Sequence, residues 1–390
     1  MHYLDHNATT PMLPEALDAM TRTAIEAWGN PSSLYEVGRK AKQVVEDARE
    51  KLATLINAAP AEIVFTGGGT EACNYGLLGA ARTLREAKGK GRHIVGSAIE
   101  HSSVKASLLA LEADGHEITW VKPNADGMVE ASAIEAALRP DTFLCAVMAA
   151  QNEVGTIQPY AEIGALLRSR DILYFCDMIQ ALGKTAIDLS TANVDMASFA
   201  AHKIGGPKGV GALYIRKGLS ASRKPDLLVR GGGQERGLRG GTENVPGIAG
   251  FGAAAAWWAP KHGVNERARV RSLRDLLQGA LRENIPEMIV NGPALPRLRL
   301  PNTLHATFPG ARSDTMVMAL DLRGIAVSAG SACASGSVKP SEVLLAMGRS
   351  TEDAVSSLRF SLGFGSTAKE MPLVARAVAA AYSVSKAAHS

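Results

Sequence analysis

The stretch EIVFTGGGTEACNYGLL, residues 62–78, runs from an apolar strand through three glycines into a helix. Ile63, Val64 and Phe65 favour extended backbone. The glycines break it, and Ala72, Cys73, Leu77 and Leu78 then resume at helical spacing. A strand feeding a helix through a tight turn is the building unit of an α/β fold. Free N–H groups and the dipole at the start of that helix favour an anion, and Thr70 can add a hydroxyl beside Gly69. The spacing is neither G-x-G-x-x-G nor G-x-x-x-x-G-K-[ST], which disfavours a nucleotide. Alone, the stretch reads either as a phosphate site or as a tight turn.

The same grammar repeats along the chain. Strand candidates are 62–66, 93–98, 117–122, 142–149, 172–177, 195–200 and 211–216, with amphipathic helices between several of them. In 42–57, for example, Val45, Ala48, Leu52, Leu55 and Ile56 share one face. The alternation predicts an α/β domain with a mostly parallel sheet covered by helices on both sides. After Trp258 the texture changes. A long charged helix over 264–284 precedes shorter strands and a last helix with a capping box, Thr367 with Glu370. The division expected is a large domain over 12–258, and a smaller α+β domain made of 1–11 and 259–390.

Composition narrows the function. The 390 residues are 46% hydrophobic and 21% charged, as in an ordinary globular protein. A net charge of +4 is too weak and dispersed to argue for direct nucleic-acid or membrane binding. No apolar run reaches the roughly 18 residues of a membrane span. The N-terminus lacks the features of a secretory signal, so a cytoplasmic location is expected.

Of the four cysteines, none forms a C-x-x-C pair, and no metal site is expected. Cys145 and Cys176 lie in apolar strands and read as inert core; Cys73 reads as the buried side of a helix. Cys333 differs. It sits in SAGSACASGSVKPS, residues 328–341, among residues too small to pack around it.

Chemistry collects where the strands end, which is where open α/β sheets bind ligands. Asp177 ends an apolar strand, either as a helix N-cap or as a carboxylate facing a protonated ring nitrogen. Lys203 follows His202 after another strand, either as a surface lysine or as an amine nucleophile. Together with Thr70, His101, Asn152 and Gln180 these are the parts needed to hold pyridoxal phosphate. The helix start takes the phosphate, the aspartate the ring nitrogen, and the lysine the aldehyde.

At this point the chain resembles the cysteine desulfurases of the nitrogen-fixation and iron–sulfur-cluster type, within the class-V aminotransferase-like family. The likeness runs through YLDHNATTP, GNPSS, FTGGGTEACN, NEVGTIQP, HKIGGPKGVGALYIRKG, GGGQERGLRGGTEN, GSACASGSVKPSEVLLAMG and SLRFSLG. It implies the type I pyridoxal-phosphate fold, a homodimer, and conversion of L-cysteine to L-alanine with sulfur passed to an acceptor protein. By position, Lys203 bonds the cofactor, Asp177 faces its ring nitrogen and Gln180 its ring oxygen. His101 stacks on the ring and moves protons. Gly69, Thr70 and His202 hold the phosphate, and Thr242 reaches the phosphate in the partner subunit. Asn152 and Arg359 hold the substrate carboxylate. Cys333 carries the persulfide, and its loop of small residues permits the travel that sulfur delivery requires.

The chain also departs from the family pattern. Ala200 stands where a hydroxyl or thiol is usual, and Gln151 where a second Asn is common. The ending AAAYSVSKAAHS lacks the tail many relatives use to dock a cluster scaffold. Two other readings are another type I enzyme (a selenocysteine lyase or an aminotransferase) and a non-catalytic scaffold of the same fold.

Overall fold

A computed structural model describes residues 1–86, 91–221, 223–329 and 339–388. Its centre is a seven-stranded sheet. The strand order is Ile63–Thr66, Gly211–Ile215, Met196–Ala200, Leu173–Asp177, Thr142–Ala146, His93–Ser97, Glu117–Val121. Gly211–Ile215 runs antiparallel to both neighbours, and every other pairing is parallel. All seven strand candidates are present, each trimmed by one to three residues.

Six of the seven strands are buried at every position; only Glu117–Val121, at an edge, is partly open. A sheet covered on both faces explains why these runs read as continuously apolar. Alternate side chains serve two cores. Val64, Leu144, Phe175 and Leu213 pack under the helices Gly69–Glu86 and Ser102–Ala113. Phe65, Cys145, Tyr174 and Phe199 pack with Val45 and Leu52 of Glu36–Leu55, Ile163 of Tyr160–Ser169 and Phe251 of Val245–Trp257.

The second half of the chain builds a separate core. The antiparallel strands Ser357–Ser361, Thr303–Thr307 and Ile289–Asn291 lie against the helices Pro260–Asn284 and Glu370–Ala388. Glu370 accepts the Thr367 N–H at 2.8 Å, one half of the capping box. Leu300, Val343, Leu344, Met347 and Ala354 pack instead into the first core and bind the two halves together. The N-terminus joins them as well. His2–Tyr3 pairs with Ile325–Ala326, Asp5 bridges to Ser361, and residues 7–10 then cross to the mouth of the large sheet.

Candidate active site

The parallel strands point their carboxyl ends at one cavity of about 230 Å³. Gly69, Thr70, His101, Asn152, Asp177, Gln180, Ala200, His202 and Lys203 line it, with Ser103, Met148 and Ile179. Nine positions that the sequence scatters over 135 residues thus face one volume, because each directly follows, or ends, a strand of the same sheet.

Asp177 is the last residue of its strand and is 4% exposed. Its Oδ1 accepts from the Ile179 N–H at 2.9 Å and the Ser198 hydroxyl at 3.3 Å. Burial raises its pKa, against the opposing pull of His101, these two donors and Lys203. Glu100 lies close by in electrostatic terms. It accepts the Met148 N–H at 2.7 Å, and its other oxygen, Oε2, is buried with no partner among the described residues. Burial and the charge of Asp177 hold the Glu100 carboxyl far above the carboxylate range.

Lys203 sits in the short turn Ala201–Lys203 that follows Met196–Ala200. Its Nζ donates to the backbone carbonyls of Asn7 and Ala8, each at 2.7 Å. Its pKa falls to about 8 through burial first and then Arg359, with Asp177 and Asp5 opposing. The amine is therefore partly neutral near physiological pH, as a nucleophile must be.

His101 caps the helix Ser102–Ala113: its Nδ1 accepts the Ser103 N–H at 3.2 Å. That bond leaves the ring proton on Nε2. Burial lowers the His101 pKa, so the ring is neutral. His202 is lowered to about 4 by burial and by Lys203, Lys208 and Lys184. Its Nδ1 lies 3.1 Å from the Thr9 hydroxyl. Gly69 opens its helix close against the cavity wall: a Cβ there would lie 2.4 Å from Ile179 Cδ1 and 3.2 Å from the Ala200 methyl, so a side chain would displace the Ile179 tip.

Three of the residues singled out from the sequence stand apart from the cavity lining. Arg359 is buried beside it, with Nη1 on the Asn152 carbonyl at 3.0 Å and Nη2 on Asp5 at 2.7 Å. Thr242 is exposed in the turn before Val245–Trp257. Cys333 lies outside the described residues. The other three cysteines are free and buried, and burial drives each thiol pKa up.

The structure adds residues that sequence reasoning passed over. Asn7 uses every polar atom it has. Its carbonyl takes Lys203 and Gln180, its Oδ1 takes Lys184 and Asn302, its Nδ2 donates to the Asn152 carbonyl and the Thr303 hydroxyl, and its N–H donates to Ser361. Glu235 pairs bidentately with buried Arg49, both contacts 2.8 Å, and accepts the Phe65 N–H at 2.8 Å. Arg239 reaches Glu71 at 2.9 Å, and Glu71 accepts the Gly67 N–H. The GGGQERGLRGGTEN segment is thereby fastened to the glycine turn. The motif DHNATTP was the available signal for Asn7; the partners themselves lie 145 to 354 residues away in the chain.

The cavity fits pyridoxal phosphate on its own terms. A buried carboxylate with a raised pKa accommodates a cationic ring N–H, a glycine-started helix accommodates the phosphate, and an amine at about 8 accommodates the aldehyde. A seven-stranded α/β sheet carrying that set at its carboxyl edge defines a type I pyridoxal-phosphate enzyme. The aminotransferase class-V family profile matches residues 2–374. Cysteine desulfurase IscS of Anaeromyxobacter dehalogenans (strain 2CP-C) is 43% identical over 379 residues, covering 96% of this chain and 90% of that protein. IscS of Pseudomonas aeruginosa (strain LESB58) is 42% identical over 388 residues, covering 98% and 92%. Among solved structures, a NifS-like protein superposes with TM-score 0.89 at 35% identity, covering 98% of this chain and 99% of that one. DndA from Streptomyces lividans superposes with TM-score 0.77 at 36% identity, covering 91% and 98%. The chain belongs to the cysteine desulfurase group of the class-V aminotransferase family.

Proposed function

We infer that the protein is a cysteine desulfurase: it takes sulfur from L-cysteine onto Cys333, releases L-alanine, and hands the persulfide to an acceptor protein. The observation that carries this reading is the convergence of Lys203, Asp177, His101 and Asn152 on one cavity at the carboxyl edge of the sheet. A solved relative at 34% identity and TM-score 0.81 is SspA in complex with cysteine.

Bound pyridoxal phosphate supplies an electron sink for the substrate α-carbon. The residues of this chain do the rest. Lys203 would hold the cofactor aldehyde, and its amine, once free, is placed to take the substrate α-proton and give a proton back. Asp177 would keep the proton on the ring nitrogen, and Gln180 would face the ring oxygen. Gly69, Thr70 and His202 hold the phosphate, with Thr242 of a partner subunit in a homodimer. Asn152 and Arg359 orient the substrate carboxylate. His101, whose Nδ1 accepts from Ser103 and leaves the proton on Nε2, would stack on the ring and exchange a proton with the sulfur. The Cys333 thiolate attacks the substrate sulfur. An S–S bond forms as the Cβ–S bond breaks, the carbon keeps the electron pair and takes a proton, and alanine departs.

The homodimer, a cytoplasmic location and a role in iron–sulfur cluster assembly belong to the same reading. So does the division into 12–258 and 1–11 with 259–390, which the separate core around Leu4, Leu277, Leu304 and Val374 supports. No described helix is long and apolar enough to cross a membrane.

The test is Cys333→Ala. The variant is expected to bind cofactor normally, to yield neither persulfide nor sulfide from L-cysteine, and to lose alanine formation. No buried thiol can replace Cys333. Persulfide or sulfide production surviving in Cys333→Ala would reject the reading.

A further inference from the structure

Lys184 is a buried amine with no part in the reaction as described above. It is 6% exposed and lies four residues after Gln180, in the turns that follow Leu173–Asp177. Its Nζ donates to Gln180 Oε1 and, at 3.1 Å, to Asn7 Oδ1. The other end of the Gln180 amide donates from Nε2 to the Asn7 carbonyl at 2.9 Å. Lys184 also lines a second, smaller cavity of about 30 Å³ behind Lys203, with His6 and Asn302.

A glutamine amide has two ends of nearly equal shape and opposite polarity, so its orientation is set by its neighbours. An ammonium can only donate, so the atom facing Lys184 is oxygen. A carbonyl can only accept, so the atom facing Asn7 is nitrogen. Burial pushes the Lys184 pKa well below its usual value; a neutral amine still offers two N–H groups, and although its lone pair could also accept, the Asn7 carbonyl, which can only accept, keeps the amide nitrogen on its own side and leaves the oxygen for Lys184. Both contacts agree on one orientation. One Nε2–H is spent on Asn7, and the second is left for the cavity that Gln180 lines.

We propose that Lys184 is a positioning residue for the cofactor: it locks the Gln180 amide so that its free N–H donates to the ring oxygen. Asn7 completes the lock from the other side. The same Asn7 carbonyl accepts from Lys203, so one acceptor ties the Gln180 amide and the Lys203 amine together. Without Lys184 the buried Gln180 oxygen loses its donor, and the amide gains by turning to seek another. The inference rests on the assignment of Gln180 to the ring oxygen under the proposed function.

The test is a double-substitution cycle on the full-length protein without substrate. Its readouts are the pyridoxal-phosphate dissociation constant and the position of the bound cofactor's visible band. Gln180→Ala and Lys184→Met are each expected to weaken cofactor binding by about 10-fold and to shift the band. Lys184→Met added to Gln180→Ala is expected to cost less than about 2-fold more, because the lock has nothing left to hold. Lys184→Arg, which keeps a donor toward the Gln180 oxygen, is expected to restore most of the affinity. If Gln180→Ala leaves binding and band unchanged, the assignment of Gln180 itself fails. If Gln180→Ala acts and Lys184→Met does not, or if the two effects simply multiply, the inference about Lys184 is overturned alone. Should Lys184→Met not accumulate as folded protein, Lys184→Gln runs the same cycle, since a shorter amide cannot reach both oxygens; multiplying effects there overturn the proposal equally.

Discussion

Arg359 Nη2 lies 2.7 Å from Asp5 Oδ1, inside a pair whose side chains are 7% and 19% exposed. Nη1 is spent on the Asn152 carbonyl, so the guanidinium is already oriented beside the cavity, held by two groups from distant parts of the chain. A planar fork fixed in this way suits a carboxylate, and a flexible ammonium does not. Arg359→Lys is expected to raise KM for L-cysteine by about 10- to 100-fold, with the cofactor dissociation constant within about 2-fold of the parent. Steady-state kinetics with separate cofactor titration check this. An unchanged KM would remove Arg359 from substrate binding.

The Lys203 amine titrates at about 8 in the folded protein, against 10.5 for an ordinary lysine. The unfolded chain therefore binds more protons between those two values, and this group's contribution to stability rises with pH through that window. In the cofactor-free protein, acylation of Lys203 by an amine-reactive reagent is expected to show a midpoint close to the folded value. Asp177→Asn removes a charge that favours the ammonium and is expected to move the midpoint lower. Peptide mapping by mass spectrometry reads both; a midpoint above about 10 in the parent contradicts the buried geometry.

Glu235 holds a left-handed backbone conformation, φ 48°, for which glycine would be the usual choice. Its side chain explains the exception. Both oxygens are taken by Arg49, and the same carboxylate accepts the Phe65 N–H next to the cofactor turn. Breaking a buried pair from one side costs about 3–5 kcal/mol. Glu235→Gln is expected to lower the melting temperature sharply and to weaken cofactor binding, through the turn that carries Gly69. Calorimetry and cofactor titration test this, and a variant melting with the parent would show that the pair holds nothing.

Ala200 lines the cavity, 2% exposed, where the family pattern has a hydroxyl or thiol. Ala200→Ser restores a donor toward the phosphate end and is expected to tighten pyridoxal-phosphate binding by about 3- to 10-fold, the net worth of one ordinary hydrogen bond. Equilibrium dialysis decides it. Weaker binding would mean that this wall needs a methyl group for packing.

The sequence made the sheet and most of the cavity readable because the two signals coincide: each buried strand is a continuous apolar run, and each run stops at a chemically unusual residue. Asp177 after LYFC and Lys203 after MASFA could be found without knowing what faced them. The run 142–149 read as strand to its end. The ladder is assigned only to Ala146, although the Val147 and Ala149 N–H groups still bond the Phe175 and Asp177 carbonyls. Asn7, Lys184 and Glu235 were not singled out for a different reason. Their meaning lies in partners up to 354 residues away, and nothing in the local pattern around a buried amide or lysine distinguishes a hub from a cap. Arg359 was legible as a residue of the site, but its engagement by Asp5 was not.

Gly69 offers the sharpest geometric test. The helix that starts there approaches Ile179 so closely that a methyl group would fall 2.4 Å from Cδ1, at the far end of a side chain that also lines the cavity. Gly69→Ala must push that tip toward the space the cofactor needs, or lift the helix start away from the phosphate. Either movement is expected to weaken cofactor binding by about 10-fold or more, given how little an overpacked site can relax. Ile179→Val deletes the clashing atom and leaves the backbone alone. The double variant Gly69→Ala/Ile179→Val is therefore expected to recover most of the lost affinity, while Ile179→Val alone changes it little. If the second substitution rescues nothing, the glycine is required for backbone approach to the phosphate and not for clearance of Ile179; titration of the four proteins with pyridoxal phosphate separates the two causes.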